Sequence, residues 1–253
     1  MSSVDGRLID GRWTAPYEAE YGDLLKVYAS IGRELNTDAW MFGKNTIRAI
    51  FTYRFGIAGH TISSDEPAVF IGERHSKRMF IVADPEGDIY FTSPTLRGDN
   101  MLVIVGRNVT EEYLAHLREI HISYLIVSDA TNLREGLEAV GREFGIRRVS
   151  VQGGGILNGA LLVERLIDEL SLVVYPGIDG LSGIPSIFEY MGGAAEYPAQ
   201  GQRLQLLSVS QCEHGVMWMR YKFHKITANE KDDVTNHIAL LSVHGLLLGH
   251  RRK

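Results

Sequence analysis

Along this chain, short apolar runs alternate with stretches whose apolar residues recur at helical spacing. Residues 17–35 place Leu24, Leu25, Val27, Tyr28, Ile31 and Leu35 on one face of a helix. Ala39 to Phe42 predicts a buried strand that ends at Gly43, and residues 44–50 look like the opening of another helix. Met79 to Val82 predicts a strand stopped by the turn signal from Asp84 through Pro85 and Gly87 to Asp88. Met101 to Val105 is a further strand. Thr110, followed by Glu111 and Glu112, predicts a helix start with a side-chain cap and an acidic first turn. Tyr124 to Val127 predicts a strand, residues 133–143 a helix closed by Gly145, and residues 148–151 another strand. Apolar strands alternating with helices imply a mostly parallel sheet covered on both faces.

After Pro176 the pattern changes. Leu204 to Ser210 and Val216 to Phe223 flank Glu213, His214 and Gly215, which reads as a terminal antiparallel hairpin. The connection before it, with Gly177, Gly180, Gly183, Pro185, Gly192 and Gly193, is long enough to be shaped around something. No internal repeat or low-complexity linker divides the chain, so residues 1–224 read as one domain and 225–253 as an extension. Ile238 to Leu248 predicts an apolar helix too short to span a bilayer, and His250 to Lys253 supply cations suited to its C-terminus. It either docks as an appended helix or belongs to a partly disordered tail.

Composition narrows the function. Of 253 residues, 45% are hydrophobic and 23% charged, which is ordinary for a soluble globular protein. The net charge of −5 offers no basic excess for nucleic acid. No apolar run has membrane-spanning length, and the N-terminus lacks a secretory h-region, so the chain reads as cytoplasmic. A single cysteine, Cys212, excludes an intramolecular disulfide and any multi-cysteine zinc site.

The candidate chemistry centres on Gly153, Gly154 and Gly155, which follow the strand ending at Val151 and open a helix through Ile156, Leu157 and Asn158. Glycines at a strand-to-helix junction let backbone N–H groups approach an anion, and the helix N-terminus adds its positive dipole end. The same residues also suit a tight turn with nothing bound.

This segment, together with Leu166 to Leu170, resembles the reductase domain of the riboflavin-biosynthesis deaminase/reductase. Ser3, Asp5, Gly6 and Arg7 look like that family's early Ser-x-Asp-Gly-Arg/Lys motif. Gly43, Lys44, Asn45 and Thr46 look like its Gly-x-x-Thr turn. The resemblance implies an α/β, dihydrofolate-reductase-like three-layer fold with a mostly parallel central sheet and a C-terminal antiparallel hairpin. It implies a homodimer through a sheet edge or the C-terminal hairpin, with Trp218 and Tyr221 as candidate contacts, or else both aromatics lie in the monomer core. It also implies NADPH as the cofactor, bound by Gly43, Lys44, Thr46 and the segment Gly153 to Asn158. Lys44, or in reserve Arg107, would meet the phosphate on the adenosine ribose; each is otherwise a solvated surface cation. Thr46 would bond a phosphate oxygen or cap its helix. Asp5 either binds substrate or braces its loop. The family's first strand precedes the Ser-x-Asp-Gly motif, so the resemblance also implies residues upstream of Met1.

Two departures bear on the substrate. The Asp-Pro segment that usually follows the Gly-x-x-Thr turn is replaced by Ile47 to Thr52, and Gln152 stands where the riboflavin-pathway members carry a substrate-binding Glu. The zinc-deaminase signature is absent and the nine histidines form no H-E-x-x-H pair, so no metal site is expected. His60, His75 and His214 read as surface residues, and Asp168 and Glu169 as partners to basic groups. The sequence therefore predicts an NADPH-dependent reductase similar to the phosphoribosylaminouracil reductase, acting on a small heterocyclic or imine-like molecule. The alternative is a dinucleotide-binding module that has lost the substrate site.

Overall fold

The computed structural model describes residues 1–50, 68–128, 132–226 and 239–243, with the backbone alone for 49–50 and 239–243. Along the chain run α1 (Tyr21–Glu34), β1 (Ala39–Gly43), α2 (Lys44–Ile50), β2 (Val69–Phe70), β3 (Met79–Ala83), β4 (Thr95–Leu96), β5 (Asp99–Gly106), α3 (Glu111–Glu119), β6 (Ser123–Val127), α4 (Leu133–Phe144), β7 (Val149–Val151), α5 (Gly155–Val163), β8 (Ile167–Val174), β9 (Gln202–Gln211), β10 (Met217–Lys225) and β11 (Ala239–Val243). Their contacts divide the chain into two compact units, residues 38–149 and residues 1–37 with 150–253.

The 38–149 unit is built on a parallel sheet. β1 pairs with β3, β3 with β5, and β5 with β6, all parallel, while the short β2 and β4 pair antiparallel with β6 and β5. Every residue of β3 and β6, and all of β5 beyond Asp99, is buried. A parallel strand covered on both faces demands such a continuous apolar run. Helix α3 begins where the sequence signals it, with the Thr110 side chain accepting the Tyr113 N–H at 3.3 Å. Helix α4 turns Leu133, Leu137, Val140 and Phe144 into the core and stops at Gly145, whose φ of 69° suits glycine.

In the other unit β8, β10 and β9 form an antiparallel sheet. Trp218 lies opposite Val173 in this register, and both join Leu24, Val27 and Ile31 of α1, and Leu35 just after it, in one buried cluster. Burying each such aliphatic side chain contributes roughly 1.5–3 kcal/mol. Helix α1 starts at Tyr21, a turn later than the apolar spacing alone suggests. The Asp23 carboxylate accepts the Glu20 N–H at 3.3 Å and fixes that boundary.

The expected α/β class, mostly parallel strands and C-terminal antiparallel hairpin are all present. One expectation changes. Of the predicted helix over 238–248, residues 239–243 are described and are not helical; the others lie outside the described residues. Residues 239–243 form β11, paired in parallel with β8 from Ala239 opposite Ile167 to Val243 opposite Leu172. An apolar run of this length fits a buried helix or a buried strand equally, and the open edge of β8 decides between them. Ser2 continues that pairing with a parallel bridge to Val174.

Candidate functional site

The glycine segment sits where β7 delivers the chain to α5. Gly153 takes φ 91°, a conformation that side chains other than glycine rarely adopt. Gly154 is the N-cap, and no side chain caps the helix that starts at Gly155. Its first turn carries no acidic residue, so the helix presents backbone donors and its positive dipole end. Ile156 is half exposed, and Leu157 and Asn158 are buried. This chemistry fits a diphosphate.

Two glycines of the segment have a further reason to be glycine. A Cβ on Gly155 would stand 2.5 Å from the Ser186 carbonyl oxygen and 2.7 Å from Cγ of Glu189. A Cβ on Gly159 would stand 2.2 Å from the Glu189 carbonyl oxygen. The backbone of residues 186–190 therefore lies directly on this face of α5. The Glu189 N–H donates to the Gly155 carbonyl at 2.9 Å, and Asn158 Nδ2 donates to the Ile187 carbonyl at 2.7 Å. The sequence reading assigned Gly155 and Asn158 to a cofactor and left this loop without partners.

Gln152 is buried, and both polar atoms of its side chain have a partner inside its own unit. Its Oε1 accepts from the Tyr28 hydroxyl at 2.7 Å, and its Nε2 donates to Ser150 Oγ at 2.6 Å. Asp5 braces its loop: it accepts from Ser3 Oγ at 2.6 Å, from Gly180 N–H at 2.9 Å and from Asp179 N–H at 3.2 Å. The Ser3 hydroxyl and the Gly180 N–H together hold its carboxyl down at about 2. Arg12 clasps Asp179 through two nitrogens at 2.8 and 3.2 Å and strengthens the same loop.

Gly43, Lys44 and Thr46 belong to the other unit, where β1 runs into α2 without an intervening loop. Thr46 is buried in the first turn of α2. The Lys44 ammonium bonds Glu86, and Asp88 at 3.2 Å, while Arg48 also bonds Asp88. Partial burial works against its charge, but the two carboxylates outweigh that and raise its pKa. A cofactor phosphate at Lys44 would compete with both. Asp84, Glu86 and Asp88 bring carboxylate oxygens within 4.8 Å of one another; Lys44 and Arg48 are the counter-charges of Glu86 and Asp88, while Asp84 accepts from the Ile89 N–H and the Tyr113 hydroxyl. Arg107 is exposed in the turn after β5.

The remaining candidates are structural. Asp168 accepts from Lys225 Nζ at 2.8 Å and Glu169 from Arg220 Nε at 2.5 Å, so these neighbours pair with separate cations on β10. Trp218, a candidate for a subunit contact or for the core, is buried, with its Nε1 donating to Ser171 Oγ at 2.8 Å; Tyr221 is half-buried. His75 is exposed beside Glu73, His214 sits in the turn between β9 and β10, and His60 lies outside the described residues. The sequence reading missed Glu189, Ile187 and Tyr28. Tyr28 looked like one more apolar position of α1. Ser186 followed by Glu189 carries a Ser-x-x-Glu signal, and the Glu189 carboxylate indeed accepts the Ser186 N–H at 2.6 Å.

Comparison with known proteins now places this geometry. The family model described as the RibD C-terminal domain matches residues 2–218. No curated protein sequence matches. Among solved structures, a pyrimidine reductase-like protein from Corynebacterium diphtheriae is similar with a TM-score of 0.59 and 18% identity, over 88% of this chain and 89% of that one. RibD from Acinetobacter baumannii is similar with a TM-score of 0.56 and 23% identity, over 88% of this chain and 56% of that one. This chain thus spans little more than half of the Acinetobacter protein. At these identities the likeness shows the fold, the mixed α/β, dihydrofolate-reductase-like arrangement.

Proposed function

The chain belongs to the RibD C-terminal domain family, and from that premise we propose that it is an NADPH-dependent reductase of a small heterocyclic or imine-like substrate. The observation that carries the proposal is the junction of β7 and α5, where Gly153 at φ 91° and an N-cap without a side chain open the helix. Backbone N–H groups of Gly155, Ile156 and Leu157 would hold the diphosphate there, assisted by the helix dipole. A bound reduced nicotinamide supplies a hydride for an electrophilic carbon; the protein's part is to bind and to orient. Tyr28 and Ser150 hold Gln152, and so fix the entry to the glycine turn. Asp5 orders residues 179–180 beside the N-terminal motif. The riboflavin-pathway resemblance supports NADPH as the reductant.

One observation favours a second reading. Gln152 and Asp5, the two residues expected to meet substrate, both spend their polar atoms inside the fold. A dinucleotide-binding module without turnover is consistent with that. Calorimetric titration with NADPH, followed by NADPH-oxidation assays on ribosylaminopyrimidine, pterin and imine substrates, separates the readings. Binding with turnover supports the reductase, and binding without turnover supports the module. Absence of NADPH binding overturns both.

A further inference from the structure

The loop of residues 184–189 touches two functional segments at once, and a single residue carries a contact to each. On one side it pairs antiparallel with the N-terminal motif. The Leu8 N–H donates to the Pro185 carbonyl at 3.0 Å, the Ile187 N–H donates to the Gly6 carbonyl at 3.2 Å, and Arg7 Nη1 reaches the Ile184 carbonyl at 2.7 Å. On the other side it lies on α5. The Ile187 carbonyl accepts from Asn158 Nδ2 at 2.7 Å, and the Glu189 N–H donates to the Gly155 carbonyl at 2.9 Å. Ile187 therefore gives its N–H to the Asp5 motif and its carbonyl to the glycine helix.

Little slack exists in this connection. The Glu189 carboxylate accepts the Ser186 N–H at 2.6 Å, and Ser186 Oγ donates to the Phe188 carbonyl at 2.7 Å, so the loop is stiffened from within. Asn158 is fully buried. Gly6 sits at φ 76°, a conformation that side chains other than glycine rarely adopt, and the place of its Cβ is in ordinary contact, 3.8 Å, with Cδ1 of Ile187. Only glycine at 155 and 159 lets the loop backbone come this close to the helix.

We propose that residues 184–189 are a strap that holds the Asp5–Leu8 motif in register with the glycine turn, and that Asn158 is its positioning residue. The two segments then order or loosen together. Coupling through a packed, hydrogen-bonded connection acts in both directions by thermodynamic necessity. For the reductase reading, on which the functional meaning of the strap rests, dinucleotide bound at α5 would also fix the motif that carries Asp5.

Amide hydrogen exchange without any dinucleotide tests the strap, so the result stands whether or not NADPH binds. Asn158→Ala removes the donor, Asn158→Leu removes it while keeping the volume, and Gly159→Ala pushes a methyl group into the Glu189 carbonyl. Each is expected to speed exchange at the Leu8 and Ile187 amides about tenfold or more, with the β9–β10 ladder unchanged. In the reverse direction Gly6→Ala should speed exchange at the Glu189 amide. Wild-type rates at Leu8 and Ile187 in all three α5 variants overturn the proposal. So does a uniform acceleration that includes β9 and β10, which is general destabilisation. Wild-type rates in Asn158→Leu with fast rates in Asn158→Ala would mean that packing alone matters, and that also overturns the role assigned to Asn158.

Discussion

The Tyr28 hydroxyl donates to Oε1 of Gln152 at 2.7 Å, tying helix α1 to the residue that enters the glycine turn. Gln152 is 2% exposed, so its carbonyl oxygen has little water to fall back on. Tyr28→Phe deletes the donor and keeps the ring. The expected cost is about 1–2 kcal/mol, or roughly 2–8 °C in unfolding temperature for a chain of this size. Calorimetric unfolding of the two proteins checks this. An unchanged transition would show that the bond contributes nothing in solution.

Acid should loosen the N-terminal motif in a defined window. Asp5 titrates at about 2 in the folded protein, because Ser3 and the Gly180 N–H hold its charged form. An unfolded aspartate titrates near 3.9. A depressed carboxyl pKa contributes stability that is fully present above the unfolded value and is lost as pH falls through the folded one. Between about pH 4 and pH 2 the wild type should therefore lose a contribution that Asp5→Asn never had. Unfolding midpoints measured across that range are expected to fall more steeply in the wild type. Parallel curves would count against the Asp5 brace.

Much of the 38–149 unit was legible because its signals are local. Thr110 with its acidic followers marks a helix start, Gly145 marks a helix end, and the unbroken apolar run of β5 marks a strand covered twice. The site was less legible because its partners are remote in sequence. Asp5 meets Ser3 close by, but the bonds that tie it across the fold go to residues 179 and 180, which its own neighbourhood does not announce. Gly155 shows the same limit. A glycine that lets an anion approach and a glycine that lets a loop approach leave one signature in sequence, and only the Ser186 carbonyl separates them. Residues 239–243 were misassigned because a free edge of β8, not local spacing, sets their conformation.

Lys44 offers a prediction in which the geometry modifies the motif. Its ammonium already bonds Glu86 and Asp88, and a dianionic phosphate beside two carboxylates would meet like charge. Lys44→Ala is therefore expected to leave the ratio of NADPH to NADH affinity unchanged while lowering stability, since Glu86 and Asp88 lose a counter-charge. Fluorescence titrations with both dinucleotides measure the ratio. A loss specific to NADPH of about tenfold or more, the size of one charge-assisted contact, would instead assign Lys44 to the ribose phosphate.

The decisive position for the dinucleotide is Gly153. Its φ of 91° sets the direction in which the chain leaves β7 and enters α5. Gly153→Ala strains that turn by about 1–3 kcal/mol and re-aims the first-turn N–H groups. Wild type should gain about 2.7 kcal/mol at NADPH a hundredfold above its dissociation constant, and the variant should gain little. Strain alone must be separated from loss of the cradle. Gly145 serves, because it also has positive φ, at 69°, and a Cβ there would meet open space. Gly145→Ala is expected to lower the unfolding temperature yet keep the full NADPH-induced rise. If Gly153→Ala keeps the full rise as well, the glycines form only a tight turn. Dinucleotide would then bind elsewhere, and the reductase reading would lose the observation on which it stands.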